Sequence, residues 1–151
     1  MIYHCDIKKE GDVYIAQFPD MPNVATCGFT HEEALAMAKD ALDGCLEVDI
    51  SCGNAVPPPA YEGGYPVPVA NHIVLSLQLR ELRGGQSQTD IARKLGLSYQ
   101  AYQRLENPRK ANPTVKTLEK IAHVYGRELS ISLQGHRQGD YHPALRRVIG
   151  K

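Results

Sequence analysis

The chain has 151 residues, 42% of them apolar and 23% charged, the composition of one ordinary globular domain or two small ones. No run approaches the ~20 apolar residues that span a bilayer. The first residues lack the basic-then-apolar pattern of a secretory signal, and four cysteines with no Cys-x-x-Cys pair fit reduced thiols of a cytoplasmic protein.

Net charge is zero, yet residues 1–70 hold 3 basic against 11 acidic side chains and residues 71–151 hold 14 against 6. A module of −8 followed by one of +8 points to two surfaces for partners of opposite sign.

In chain order, Ile2 to Lys8 and Asp12 to Phe18 are β-type runs joined by a hairpin-like Lys9-Glu10-Gly11. Pro19 to Asn23 is a rigid turn, and Val24 to Phe29 is a third strand. Thr30, with Glu33 three positions on, is a capping box that starts a helix. Its apolar face is Ala34, Leu35, Ala38, Ala41, Leu42, Cys45 and Leu46, and Gly53 is its stop. Residues 53–66, with three consecutive prolines and a double glycine, form a linker. Val67-Pro68-Val69 returns as a fourth strand, whose proline suits only a sheet edge or a bulge. One helix covers one face of such a sheet and leaves the other for solvent or a partner.

Phe18-Pro19-Asp20-Met21-Pro22, Thr26 to Ala34 and Ala38-Lys39-Asp40-Ala41-Leu42 resemble the HicB antitoxin family over roughly residues 2–52. The resemblance implies a partial ribonuclease H-like fold without catalysis, and inhibition of a small basic ribonuclease toxin, HicA. The acidic balance agrees independently, because a protein that grips messenger RNA is basic and an acidic surface both steers and blocks it. Asp6, Asp12 and Asp20 are the candidate toxin contacts, on the uncovered sheet face and its turns.

From Asn71 onward the pattern is helical. His72 to Arg83 is one helix, stopped by Gly84-Gly85; Ser87 caps a second, Gln88 to Leu95; Tyr99 to Glu106 is a third; Thr114 caps a fourth that runs to about Tyr125. Gln88 to Glu106 resembles the helix-turn-helix of phage-repressor-like (Xre family) regulators, with Ala92 at the helix contact and Gly96 in the turn. By that resemblance Tyr99, Gln100, Gln103 and Arg104 lie along the recognition helix, Gln100 suited to adenine and Arg104 to guanine. Gln88, Thr89 and Ser98 lie at or beside helix N-termini, where phosphate is favoured, and Arg109 and Lys110 in the next loop add sequence-independent charge. The first-helix base that pairs the family's glutamate falls on Glu81 here, which leaves Arg80 or Arg83 to meet Glu106.

Leu129 to Leu133 alternates like a half-buried strand and has no evident partner in its own domain. Pairing with its twin would make a homodimer or a higher even oligomer, as operator binders usually are. The basic, glycine-interrupted tail, 135–151, leaves open disorder, a DNA contact or an appended sequence.

The expected class is therefore α+β: a small antiparallel sheet with a covering helix over residues 1–70, then a helix-turn-helix unit with a C-terminal strand over 71–134. The expected function is an antitoxin of a type II toxin-antitoxin system that neutralises a HicA-like mRNA interferase and represses its own operon. It is not expected to be an enzyme, and no cofactor, metal or membrane partner is implied. A stand-alone repressor with an acidic sensor or oligomerisation domain is the first alternative. An RNase H-like nuclease is the second. It would need Asp6, Asp12, Asp20, Glu32 and Glu33 to converge on Mg²⁺, but Glu33 is better explained by capping and Asp20 by the turn. Cys27-x-x-x-His31 is at best half a metal site.

Overall fold

The computed structural model describes residues 1–134. The elements are β1 (Ile2–Glu10), β2 (Val13–Phe18), β3 (Met21–Gly28), α1 (His31–Cys52), β4 (Tyr65–Pro68), α2 (Asn71–Arg83), α3 (Gln88–Leu95), α4 (Tyr99–Leu105) and α5 (Val115–Val124). The expected basic tail, 135–151, lies outside the described residues.

The four strands form one antiparallel sheet in the order β3-β2-β1-β4. Glu10 pairs with Val13, so a two-residue turn, Gly11-Asp12, joins β1 to β2. β4 is an edge strand, which is where its two prolines cost no ladder bond. The adjoining Val69 N–H bonds to the Met1 carbonyl at 3.1 Å, and Lys39 Nζ donates to the Pro68 carbonyl at 2.8 Å. Residues expected to form a plain turn after Phe18 already pair: Phe18 lies opposite Met21 across an irregularity in the register, so β3 starts earlier than its apolar pattern suggests.

The period-two alternation sorts the sheet into two faces. Tyr3, Cys5, Ala16, Phe18, Val24 and Val67 are buried under α1. Ile2, Lys8, Glu10, Gln17, Ala25 and Cys27 are exposed on the opposite, uncovered face. α1 contributes Ala34, Ala38, Leu42, Leu46 and Ile50, one residue per turn on a single stripe. Burying each of the larger three is worth about 1.5–3 kcal/mol, so packing rather than helix propensity holds these 22 residues in place.

The start of α1 is set by contact. A Cβ on Gly28 would lie 2.5 Å from the Ala34 nitrogen and 2.8 Å from the Glu33 carbonyl carbon, so only glycine lets the strand run into the helix here. Thr30 Oγ1 accepts from the Glu33 N–H at 3.1 Å, as a capping box requires. Glu33 reaches back one residue further than usual and accepts from the Phe29 N–H at 2.7 Å.

The proline-rich segment after Gly53 is irregular but anchored. Asp20 Oδ2 accepts from the Ala60 and Tyr61 N–H groups, both at 2.9 Å; the Tyr61 hydroxyl donates to Asp6 at 2.8 Å; and the Tyr3 hydroxyl donates to the Pro57 carbonyl.

A second core holds Leu79, Ile91, Ala92, Leu95, Tyr102, Leu105 and Ile121. α2 belongs to both cores: Ile73, Val74 and Leu77 pack on the sheet side, Leu75 and Leu79 on the helical side. The strand expected at Leu129–Leu133 is not formed. A strand needs a partner backbone, and among the described residues none pairs with this segment, whose Ile131 and Leu133 are 58% and 99% exposed.

Candidate nucleic-acid interface and uncovered sheet face

The helix-turn-helix is α3 and α4. Ser87 Oγ accepts from the Asp90 N–H at 3.0 Å and Ser98 Oγ from the Ala101 N–H at 3.1 Å, so each helix carries its own cap. Between them Gly96 sits at φ 65°, the left-handed conformation that lets Leu97 fold back toward the core. α4 turns Tyr102 and Leu105 inward, which leaves Tyr99, Gln100, Gln103 and Arg104 exposed along its other side. The next loop is shaped by Asn107, whose Oδ1 accepts from the Arg109 N–H at 3.0 Å, and it presents Arg109 and Lys110 to solvent. Thr89 and Ser98 are also exposed.

Gln88 is placed differently: its amide donates to Glu106 Oε2 at 2.8 Å. Glu106 is the centre of the module. Of the two bases that the sequence left open, Arg83 takes it in a fork, Nε to Oε1 at 2.7 Å and Nη2 to Oε2 at 3.1 Å. Burial alone would raise the Glu106 pKa, but hydrogen bonds from Arg83 and Gln88 outweigh it and hold the carboxyl below its ordinary value. The buried Tyr102 phenol stands beside that carboxylate, and both burial and the neighbouring charge push its pKa up. α2, α3 and the end of α4 are thus tied at one buried point.

Arg80, the other candidate, reaches the first module instead: its Nη1 donates to the Ile50 carbonyl at 3.0 Å, at the C-terminal end of α1. Two further contacts cross the same seam. Glu47 on α1 bonds through Oε1 to His72 Nε2 at 3.0 Å and accepts through Oε2 from Arg109 Nε at 3.3 Å. The hydrogen bond with His72 leads the causes that lower the Glu47 pKa, and the bond from Arg109 adds to it. A polar cleft of about 540 Å³ results, with Ser51, Cys52 and Gly53 on one wall and Arg80, Gln100, Gln103, Arg104 and Lys110 on the other. Nothing in local sequence pattern signals that the end of α1 shares a cleft with the recognition helix, because these residues are about fifty positions apart.

On the sheet, Asp6 shares the uncovered face, where Asp6, Lys8, Glu10, Ile15, Gln17 and Pro19 line a shallow depression of about 350 Å³. Asp12 is exposed at the hairpin tip. Asp20 and Asp6 also have structural duties, holding the proline-rich segment as described above. Glu33 is occupied by the α1 cap, so Asp6, Asp20 and Glu33 each hold a different local contact.

Among the described residues no three His, Cys, Asp or Glu side chains are grouped as metal ligands. Cys27 is exposed on the open face, whereas His31 packs edge-on against the Tyr14 and Tyr65 rings by α1. Burial, with Asp6 nearby, pushes the Cys5 thiol up to about 11, as suits a core residue. Among the described residues no helix is long and apolar enough to cross a membrane.

Comparison with known proteins divides the chain at the same place. Residues 3–74 match the family model described as HicB_like antitoxin of bacterial toxin-antitoxin system, and residues 77–131 match the helix-turn-helix model. The chain is 31% identical over 109 residues to Antitoxin HicB 2 of Photorhabdus laumondii subsp. laumondii, covering 70% of this chain and 77% of the relative. It is 29% identical over 125 residues to Antitoxin HicB 1 of the same organism, covering 80% and 79%.

Proposed function

Since the chain belongs to the HicB antitoxin family, with a helix-turn-helix in its second half, we propose that it neutralises a small basic ribonuclease toxin and represses the operon that encodes both. The toxin is of the HicA type, an mRNA interferase. The observation that carries this reading is the division of charge: −8 over residues 1–70 and +8 over residues 71–151, the second half containing an exposed recognition helix.

In this reading residues 1–70 bind the toxin, and residues 71–134 bind DNA and dimerise. The toxin docks on the uncovered sheet face, with Asp6, Asp12 and Asp20 at its margin and Glu10 adding to the negative potential. Gln100, Gln103, Arg104 and Tyr99 meet base edges in the major groove. Thr89, Ser98, Arg109 and Lys110 meet phosphates, and Gln88 acts chiefly through Glu106. Leu129–Leu133 pairs with the same segment of a second copy, which gives a homodimer or a higher even oligomer suited to a two-fold operator. The protein works in the cytoplasm, without cofactor or metal, as a binding protein rather than an enzyme.

The test has two arms. Coexpression with the short basic protein encoded in the adjacent reading frame should restore growth and yield a co-purifying complex. The duplex upstream of the operon should be retarded at low ionic strength. Retardation without rescue leaves a stand-alone repressor, and failure of both ends the reading.

A further inference from the structure

The helix-turn-helix does not present its basic loop to solvent alone, because the C-terminal turn of α1 lies against it. That turn is hostile to DNA. It is the negative end of a 22-residue helix, it carries Glu47 and Asp49, and it has no basic residue in its last turn. Glu47 already bonds Arg109 at 3.3 Å, one of the side chains placed for phosphate. Ser51, Cys52 and Gly53 stand across the cleft from Gln100, Gln103 and Arg104, the side chains placed for bases. A duplex seated on α4 would bring its phosphates toward this turn.

We infer that the C-terminal turn of α1 is a built-in competitor of the operator, with the Glu47 carboxylate occupying on Arg109 the place of a DNA phosphate. The inference rests on the DNA-binding reading above and adds its regulation. Two contacts set the docked state besides the Arg109 pair: Glu47 with His72, and Arg80 with the Ile50 carbonyl. Both join α1 to α2, the helix that serves both cores. Moving α1 away from the recognition helix breaks the Arg109 pair and opens the cleft. DNA binding and α1 docking therefore oppose each other, and a ligand that favours undocked α1 tightens operator binding by the factor by which the operator tightens binding of that ligand.

The experiment uses the full chain and two probes, the duplex upstream of the operon and a mixed-sequence duplex of the same length. Glu47→Gln keeps a hydrogen-bonding side chain at a partly exposed helix position and removes the charge. It should tighten binding to both duplexes about tenfold at low ionic strength, because DNA no longer has to displace a carboxylate from Arg109. In an Arg109→Gln background, where there is no such pair to displace, Glu47→Gln should tighten binding far less. Thiol labelling of Cys52 supplies an independent readout that needs no substitution at the seam. Undocking by DNA leaves Cys52 as reactive as the exposed Cys27, whereas protection of Cys52 by bound duplex overturns the inference. Equal affinities for wild type and Glu47→Gln also overturn it. Failure of every form to bind either duplex defeats the DNA-binding reading instead.

Discussion

Arg83→Ala is the sharpest probe of how the recognition helix is held. The Glu106 side chain is 4% exposed, and Arg83 supplies two of its three short hydrogen bonds, at 2.7 and 3.1 Å. Removing one partner of a buried pair typically costs about 3–5 kcal/mol; the expected loss is near 3 kcal/mol, since the guanidinium is itself partly exposed and Gln88 still donates. Urea denaturation followed by far-ultraviolet circular dichroism measures it. A loss under about 1 kcal/mol would mean that the pair behaves like a surface ion pair, and the reasoning fails.

The pH dependence supplies a sign test on the same residue. In the wild type the folded-state pKa of Glu106 lies below the unfolded value of about 4.3, so its contribution is present above that pH and is lost as pH falls through the folded pKa. Without Arg83, burial becomes the larger influence and raises the folded pKa above the unfolded one. The contribution is then present below the unfolded pKa and is lost as pH rises through the folded pKa. Relative to Glu106→Gln, which has no proton to exchange, the wild type should weaken toward acid and Arg83→Ala should strengthen. The same direction in both would refute the electrostatic account.

Gly28→Ala should cost about 1–3 kcal/mol, because its methyl group meets backbone atoms of α1 that no side-chain rotation can clear; thermal unfolding reads the loss. Gln100→Ala should relax discrimination at one operator position, while Lys110→Ala should weaken binding to all duplexes alike and lower the salt slope by about one, as fluorescence anisotropy would show. Glu10→Lys on the uncovered face should slow association with a basic toxin without moving the melting temperature; equal association rates would remove the sheet face as the docking surface. Ser substitutions at Leu129, Ile131 and Leu133 should leave the monomer folded and abolish dimers in light scattering, because these side chains make no contribution to either core.

Much of the fold is legible in the order of residues, because the relevant forces act over a few positions. The Thr30 cap, the stripe from Ala34 to Leu46, the turn at Gly96 and the inward set of Ile91, Ala92 and Leu95 are all local periodicities or local hydrogen bonds. The outward side of α4 follows from the same rule. Leu129–Leu133 marks the limit of that rule: alternation records which face a strand would bury, but the strand exists only when a second backbone completes its hydrogen bonds, and the described residues of one chain supply none.

What only the tertiary structure decided are the pairings between distant charges. Sequence left Arg80 and Arg83 as equal candidates for Glu106, since both stand in the last turn of α2. Their fates separate because they stand one turn apart on α2, so that Arg83 reaches the buried carboxylate at the end of α4 and Arg80 the carbonyl end of α1. In the same way, the charge count distinguished an acidic half from a basic one but not that Glu47 lies on Arg109. Net charge sums over a surface, whereas an ion pair depends on a few ångströms, and those are set by how α2 packs against both cores at once.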